Sequence, residues 1–228
     1  IIPLPTNTPV QKRMSAKEQV YIQLRDWIIN GTLRPNEKIN DQDISQYFSV
    51  SRTPVREAMQ LLSDQRLINI IPGKGSSVAP INYKQTLKAY DILVELNCLA
   101  LKFAFPHLNK EHLDHLNELN ETYAQVAKNS DFMQLTEIDR QFHAFIFQLA
   151  DSEFLTYFFE ILHTHTLRAE SLFVYEESNY PKSYQEHKQI INALAQKDLD
   201  TALISMRDNW FHTADFIKAS ALPEQLAE

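Results

Sequence analysis

Val50-Ser51-Arg52-Thr53-Pro54-Val55-Arg56-Glu57-Ala58 decides how this chain folds. Ser51 stands where a helix N-cap belongs, and Pro54 falls in the first turn, where its missing N–H costs nothing. Val55, Ala58, Met59 and Leu62 recur at helical spacing and face inward. Arg52 and Arg56, four residues apart, share one face of the same helix. An arginine can fork onto guanine O6 and N7 or clamp a phosphate. The hydroxyls of Ser51 and Thr53, with the free N–H groups of that helix end, suit phosphate oxygens. Spacing alone leaves an ordinary solvated face open as the alternative, with Arg56 and Glu57 serving surface electrostatics.

Upstream, a helix is predicted from Ser15 to Asn30. Ser15 and Glu18 form a capping box, Val20, Leu24, Trp27 and Ile28 make one apolar face, and Gly31 ends it. After a loop containing Pro35, a short helix starts near Asn40 or Asp41, with Ile44, Tyr47 and Phe48 inward. Ser49-Val50 is the turn. Downstream, Leu67 to Ile71 and Ser76 to Pro80 read as short strands around the tight turn Pro72-Gly73-Lys74-Gly75. Helix, helix, turn, helix and hairpin make a winged helix-turn-helix over residues 1–80, with a linker at 81–85. Gly73-Lys74-Gly75-Ser76-Ser77 is not a phosphate-binding loop: Gly75 rather than Ser or Thr follows Lys74, and Asn69 rather than Gly lies five residues before it.

Residues 86–228 read as an all-α bundle. Helices are expected near 84–105 (stopped by Pro106), 110–129, 131–150, 153–176, 181–196 and 198–219. Phe142, Phe145, Ile146 and Leu149 form a stripe, Asp131 begins its helix after Ser130, and Pro181 sits at a helix start. The fold class is therefore mainly α. No apolar run approaches the ~18 residues of a membrane span. The single cysteine, Cys98, excludes an internal disulfide, fits a reducing cytoplasm, and lies in an apolar run as a small core residue. Net charge is −7, but unevenly spread: residues 1–80 carry 10 Lys+Arg against 7 Asp+Glu, and the remainder 12 against 22. A mildly basic head on an acidic body fits nucleic-acid binding by the head alone.

Histidines cluster in the helical part. Asp139 and His143 are i, i+4 on one face, His187 lies on a later helix and His212 on the last. A carboxylate and imidazoles from different helices can build a metal site inside a bundle. On spacing alone, hydrogen-bonded interior histidines are the alternative. His112 and His115 read as surface, and His163 and His165 point to different faces of their helix.

Residues 17–80 resemble the DNA-binding domain of the GntR family of bacterial regulators. The match runs through Ser51 to Ala58 without a gap, through Leu24, Trp27, Ile28, Ile29, Gly31, Leu33 and Pro35, and through Gly73-Lys74-Gly75 and Val78 of the wing. It departs at two turn positions, where Asn36 and Arg66 replace frequent glycines. The resemblance implies that Ser51, Arg52, Thr53, Arg56, Gly73 and Lys74 meet an operator. The helical half is similar to the FadR C-terminal, or FCD, domain, through Asp139-x-x-Phe142-His143 and the pattern from Glu186-His187 to Ala202. Many such domains bind a divalent metal through one Asp and three His. Here the first three are Asp139, His143 and His187, the fourth position holds Asn209, and His212 or water are the alternatives. The metal would be Zn, Ni, Mn or Fe.

An arginine and a glutamate frequent on the first helix of such domains are replaced by Leu93 and Asn97. That leaves Arg168 and Arg140 as effector-binding candidates, with Arg140 also suited to ion pairing. The effector would be an organic acid or a more apolar molecule. The resemblance thus implies a cytoplasmic homodimeric repressor on a pseudo-palindromic operator, with no membrane attachment and no enzymatic activity. A helical metal-dependent enzyme using Asp139, His143 and His187 is one rival, and a winged-helix module binding protein is another.

Overall fold

The computed structural model describes residues 14–129, 132–171 and 180–220. It divides into two units. One holds the residues up to Trp27 together with Asn36–Ala79, and the other holds Ile28–Pro35 together with the residues from Pro80 on. The architecture is mainly helical with one small sheet, as the sequence predicts.

In the N-terminal part, helix α1 (Ala16–Ile29) begins with the expected capping box: Ser15 N donates to Glu18 Oε2 at 2.7 Å, and Glu18 N to Ser15 Oγ at 3.2 Å. Helix α2 (Asp41–Phe48) is capped by Asn40, whose Oδ1 accepts from Gln42 N at 2.9 Å, and Ser49 ends it in the left-handed region. Helix α3 (Arg52–Asp64) buries Val55, Ala58, Met59 and Leu62. Three details differ from the sequence reading. A two-residue strand β1 (Lys38–Ile39) precedes α2; it is too short to show alternation and exists because β3 offers it an edge. Ser51 holds the N-cap position of α3, but its hydroxyl makes no capping bond. Tyr47 is not an inward residue: it is 70% exposed, edge-on to Trp27 and Phe48, because Ile44 is the residue of this short helix that fits inside.

Strands β2 (Ile68–Ile71) and β3 (Gly75–Val78) form the wing hairpin in a sheet of order β1-β3-β2. Lys74 N donates to Ile71 O across the turn. Gly73 has φ +74° and Gly75 φ +94°, and a Cβ at either would meet nothing within 4 Å. Backbone conformation, not crowding, therefore asks for glycine there. Asn36 (φ +68°) and Arg66 (φ +61°) are also left-handed. The two positions where the family pattern carries glycine thus keep a glycine conformation, with Asn36 a side chain that tolerates it and Arg66 one that disfavours it.

The helical part comprises α4 (Tyr83–Ala104), α5 (Lys110–Val126), α6 (Phe132–Leu149), α7 (Glu153–Glu170), α8 (Tyr180–Ala195) and α9 (Leu199–Ser220). Asn82 caps α4 by accepting from Gln85 N at 2.8 Å, so three of the five residues of the expected 81–85 linker, from Tyr83 on, are already helix. The predicted start at Asp131 and the predicted continuation from residue 172 to 176 fall outside the described residues. Helix α4 packs on α6, α7 and α9, α5 on α6 and α8, and α8 on α9. The core they enclose includes Tyr90, Leu93, Leu101, Phe142, Phe147, Phe159, Ile190 and Met206. Cys98 is buried among them, as expected of a small core residue, and burial pushes its thiol pKa up. No described helix is long and apolar enough to cross a membrane.

Candidate nucleic-acid interface and metal centre

The N-terminal end of α3 projects both of its arginines outward: the Arg52 and Arg56 side chains are 50% and 64% exposed. Ser51 and Thr53 beside them are exposed, as are Gly73 and Lys74 at the wing tip. Asp41, the first residue of α2, lies against both guanidinium groups. Its Oδ1 accepts from Arg52 Nη2 and its Oδ2 from Arg56 Nε, each at 2.6 Å. The hydrogen bonds from Arg52 and then Arg56 hold the Asp41 carboxyl below its ordinary pKa. The DNA-reading candidates are therefore surface groups, and two of them are organised by a carboxylate that the sequence reading did not single out.

In the helical part, Asp139 and His143 from α6 meet His187 from α8. One ligand atom from each lies within 4.8 Å of the others. His187 Nε2 is 3.5 Å from Asp139 Oδ1, and His143 Nε2 is 3.9 Å from Asp139 Oδ2. Those distances are too long for hydrogen bonds, yet within the roughly 4.2 Å that two ligands at about 2.1 Å from one ion can span.

Each imidazole is fixed from behind by an asparagine. His143 Nδ1 lies 3.1 Å from Asn97 Oδ1, and His187 Nδ1 lies 3.1 Å from Asn120 Oδ1. The amides cannot serve the other way round, because Asn97 Nδ2 donates to Leu93 O at 2.9 Å and Asn120 Nδ2 to Tyr184 O at 3.1 Å. Each Nδ1 therefore carries the proton, and each Nε2 lone pair points at Asp139. Phe142 stacks on the His187 ring at 4.0 Å, and Trp210 lies 4.8 Å from the His143 ring.

Electrostatics follow from burial. Burial lowers the His187 pKa to about 3. It also lowers His143 well below the ordinary value, with His187 and His163 adding to the effect. Burial, then Glu170 and Glu186, raise Asp139 to about 8. The buried His187 Nε2 has no hydrogen-bond partner. Two neutral imidazoles aimed at one carboxyl, with that nitrogen orphaned, suit a cation.

Asn209 lines the same cavity, which has a volume of about 30 Å³. That exceeds the roughly 10–15 Å³ one water needs. Asn209 Nδ2 donates to Glu186 Oε2 at 3.1 Å, and the amide also interacts with His143. His212 lies outside the ligand group, and its Nδ1 is 3.6 Å from Glu186 Oε1. His163 is buried and lines the cavity with Asp139, whereas His165 is half-buried; the two do diverge, but one of them reaches the site. Neither effector candidate lines the cavity. Arg140 is bound to Glu137 and Glu160, and Arg168 is buried on α7, where desolvation lowers its pKa to about 10.

Asn120 is a residue that sequence reasoning missed, and Asn97 was read only as a replacement for a frequent glutamate, not as a support for His143. Their only signal was a polar amide at a position of a helix that faces the core.

Comparison with known proteins matches residues 88–210 to the FCD domain and residues 16–78 to the "Bacterial regulatory proteins, gntR family". The chain is 25% identical over 201 residues to the HTH-type transcriptional regulator YdhC of Bacillus subtilis strain 168, covering 88% of this chain and 90% of that one. It is 22% identical over 223 residues to the gluconate operon transcriptional repressor of the same organism, covering 94% and 90%. Among solved structures, E. coli McbR/YncC shares the fold with a TM-score of 0.81 at 20% identity, over 91% of this chain and 99% of that one. FCD domains can bind metal, and the Asp139, His143 and His187 cluster lies within the matched segment. With a DNA-binding module, an FCD module and relatives that are regulators rather than enzymes, the chain belongs to the GntR family of bacterial transcriptional regulators, in its FCD-containing branch.

Proposed function

We propose that this regulator is a cytoplasmic homodimeric repressor whose operator affinity responds to a small molecule bound beside a divalent ion in the helical domain. The observation that carries the DNA half is the pair of exposed arginines at the N-terminal end of α3. In a helix-turn-helix that end enters the major groove. Ser51 supports it, since its hydroxyl is not spent on a cap. Thr53, Gly73 and Lys74 would meet the phosphate backbone or the minor groove. Domain limits of 1–80 and 86–228, with the connection between them, fit this division of labour. Repression is supported by the similarity to the gluconate operon transcriptional repressor.

The metal half rests on Asp139, His143 and His187, with Asn209 placed nearer the cluster than His212. The ion, when bound, would supply a Lewis-acidic anchor for an oxygen of the effector. Tyr123, Leu135, Leu167 and Trp210 give the cavity part of its wall, Thr136, Glu170, Ser183 and Thr213 add polar groups, and no arginine is among its described lining. That favours a small ligand held by the ion over one held by an arginine clamp. Arg168 and Arg140 would then act in packing and ion pairing.

For the dimer, α7 exposes Phe154, Tyr157 and Phe158, and α4 exposes Ile92, Leu99 and Phe103. A second copy of the chain would cover such faces and present two reading heads to a pseudo-palindromic operator. Effector binding would change operator affinity by linkage, typically by ~1–3 kcal/mol.

The test is elemental analysis of protein purified without chelators, with sedimentation and binding to a duplex selected by the protein from a random pool. One divalent ion per chain, a dimer and saturable sequence-selective binding are expected. Metal-free protein that takes up neither Zn, Ni nor Mn would reduce the cluster to core histidines. A monomer at micromolar concentration would remove the dimer.

A further inference from the structure

Arg52 and Arg56 are like charges one turn apart on a largely exposed face. Left to themselves they would repel and sample many rotamers, and ordering each arginine costs side-chain entropy. Asp41 reaches from the first turn of α2, its two oxygens divided between the two guanidinium groups. Its own side chain is 17% exposed, so it sits under the pair rather than in front of it. Arg56 spends its Nε–H on the carboxylate. That leaves its outer edge, the two terminal nitrogens, as the fork that can meet a guanine or a phosphate.

An acidic group at this place weakens general attraction to phosphates, since it cancels one of two positive charges. Its benefit must lie in geometry. We propose that Asp41 is a positioning residue for sequence discrimination: it holds Arg52 and Arg56 in fixed forks, trading non-specific affinity for specific readout. This rests on the assignment of α3 as the DNA-reading helix. It is distinct from the arginine contacts themselves, because Asp41 touches no DNA in this scheme.

The two assignments separate in one experiment on the full-length protein. The probes are a duplex recovered by the wild type from a random-sequence pool and a scrambled duplex of equal composition, both followed by fluorescence anisotropy at one salt concentration. Asp41→Asn is expected to weaken the selected duplex about tenfold or more, since one well-made bidentate contact carries that much discrimination. Binding to the scrambled duplex should stay level or tighten. Asp41→Glu, which keeps the carboxylate, should retain most of the discrimination. In an Arg52→Ala/Arg56→Ala background, Asp41→Asn should leave the ratio of selected to scrambled binding unchanged, since there is no fork left to aim.

Equal tightening on both duplexes would make Asp41 a repulsive charge only and overturn the proposal. Equal weakening, with a lowered melting temperature, would make it a helix-packing residue and overturn it as well. An unchanged ratio would do the same. If the wild type itself selects no sequence, or if the double arginine variant binds like wild type, the reading of α3 fails first.

Discussion

On α3, two permanently charged arginines stand in the open around one carboxylate. In the helical domain, two neutral imidazoles are buried around another. Asp41 ionises more readily than an ordinary carboxyl because two guanidinium groups bond it. Asp139 is pushed the other way, to about 8, by burial and by Glu170 and Glu186. The same residue type thus marks two different recognition problems. A polyanion is met by charge already in place, so the protein's task is to aim it. A small cation is met by groups that stay neutral until it arrives, so the protein's task is to orient lone pairs and exclude water. What differs is the supporting residue: a carboxylate aims the arginines, and amides aim the imidazoles.

The comparison breaks most decisively at the arginines. Arg52→Ala and Arg56→Ala together should lower affinity for a selected operator duplex by roughly a hundredfold or more, at ~1–3 kcal/mol per lost bidentate contact. Circular dichroism of the helical domain should not change. Wild-type affinity in the double variant would mean that the exposed face is merely solvated.

In the buried site, His187→Ala should abolish uptake of Zn or Ni in a calorimetric titration. Asn97→Ala and Asn120→Ala should each weaken it by about 10–100-fold, the usual cost of losing an outer hydrogen bond to a ligating histidine. Full affinity in both asparagine variants would show that the amides do not set the tautomers.

A smaller effect separates the turns from the sites. Arg66→Gly should raise the stability of the winged-helix part by roughly 0.5–1 kcal/mol in urea denaturation, since relief of the left-handed conformation outweighs the glycine entropy. No gain would mean that the arginine side chain compensates for its backbone.

The weakest signal is expected from Cys98. Its raised pKa lowers the thiolate fraction at any given pH, and the residue is buried. Reaction with a disulfide reagent at pH 8 should therefore stay at background until the protein unfolds. Rapid labelling of folded protein would place the thiol near solvent.

Much of this was legible because it depends on neighbours in sequence. The Ser15 and Glu18 capping box, the Pro72–Gly75 turn, the inward face of α3 and the i, i+4 pair of Asp139 and His143 are local events. What escaped is set by distant partners. Strand β1 exists through its pairing with β3, and Tyr47 is exposed because the core beside α2 is filled by Ile44. Ser51 carries the right side chain in the capping position, yet its hydroxyl makes no capping bond. The supporting roles of Asn97 and Asn120 are not legible, since nothing in their own segments says that a histidine 46 or 67 residues away will need an acceptor. His163 diverges from His165 as their spacing predicts, yet it reaches the cavity, whose walls come from distant helices.

The two asparagine-anchored imidazoles also make the helical domain its own reporter. Each Nδ1 proton is confined to one N–H···O bond inside the core, so it exchanges with solvent only when that part of the domain opens. Two slowly exchanging imidazole protons should therefore be visible by NMR. Their lifetimes clock the opening of the core, while their shifts register any change of partner at the Nε2 atoms on the opposite side of each ring.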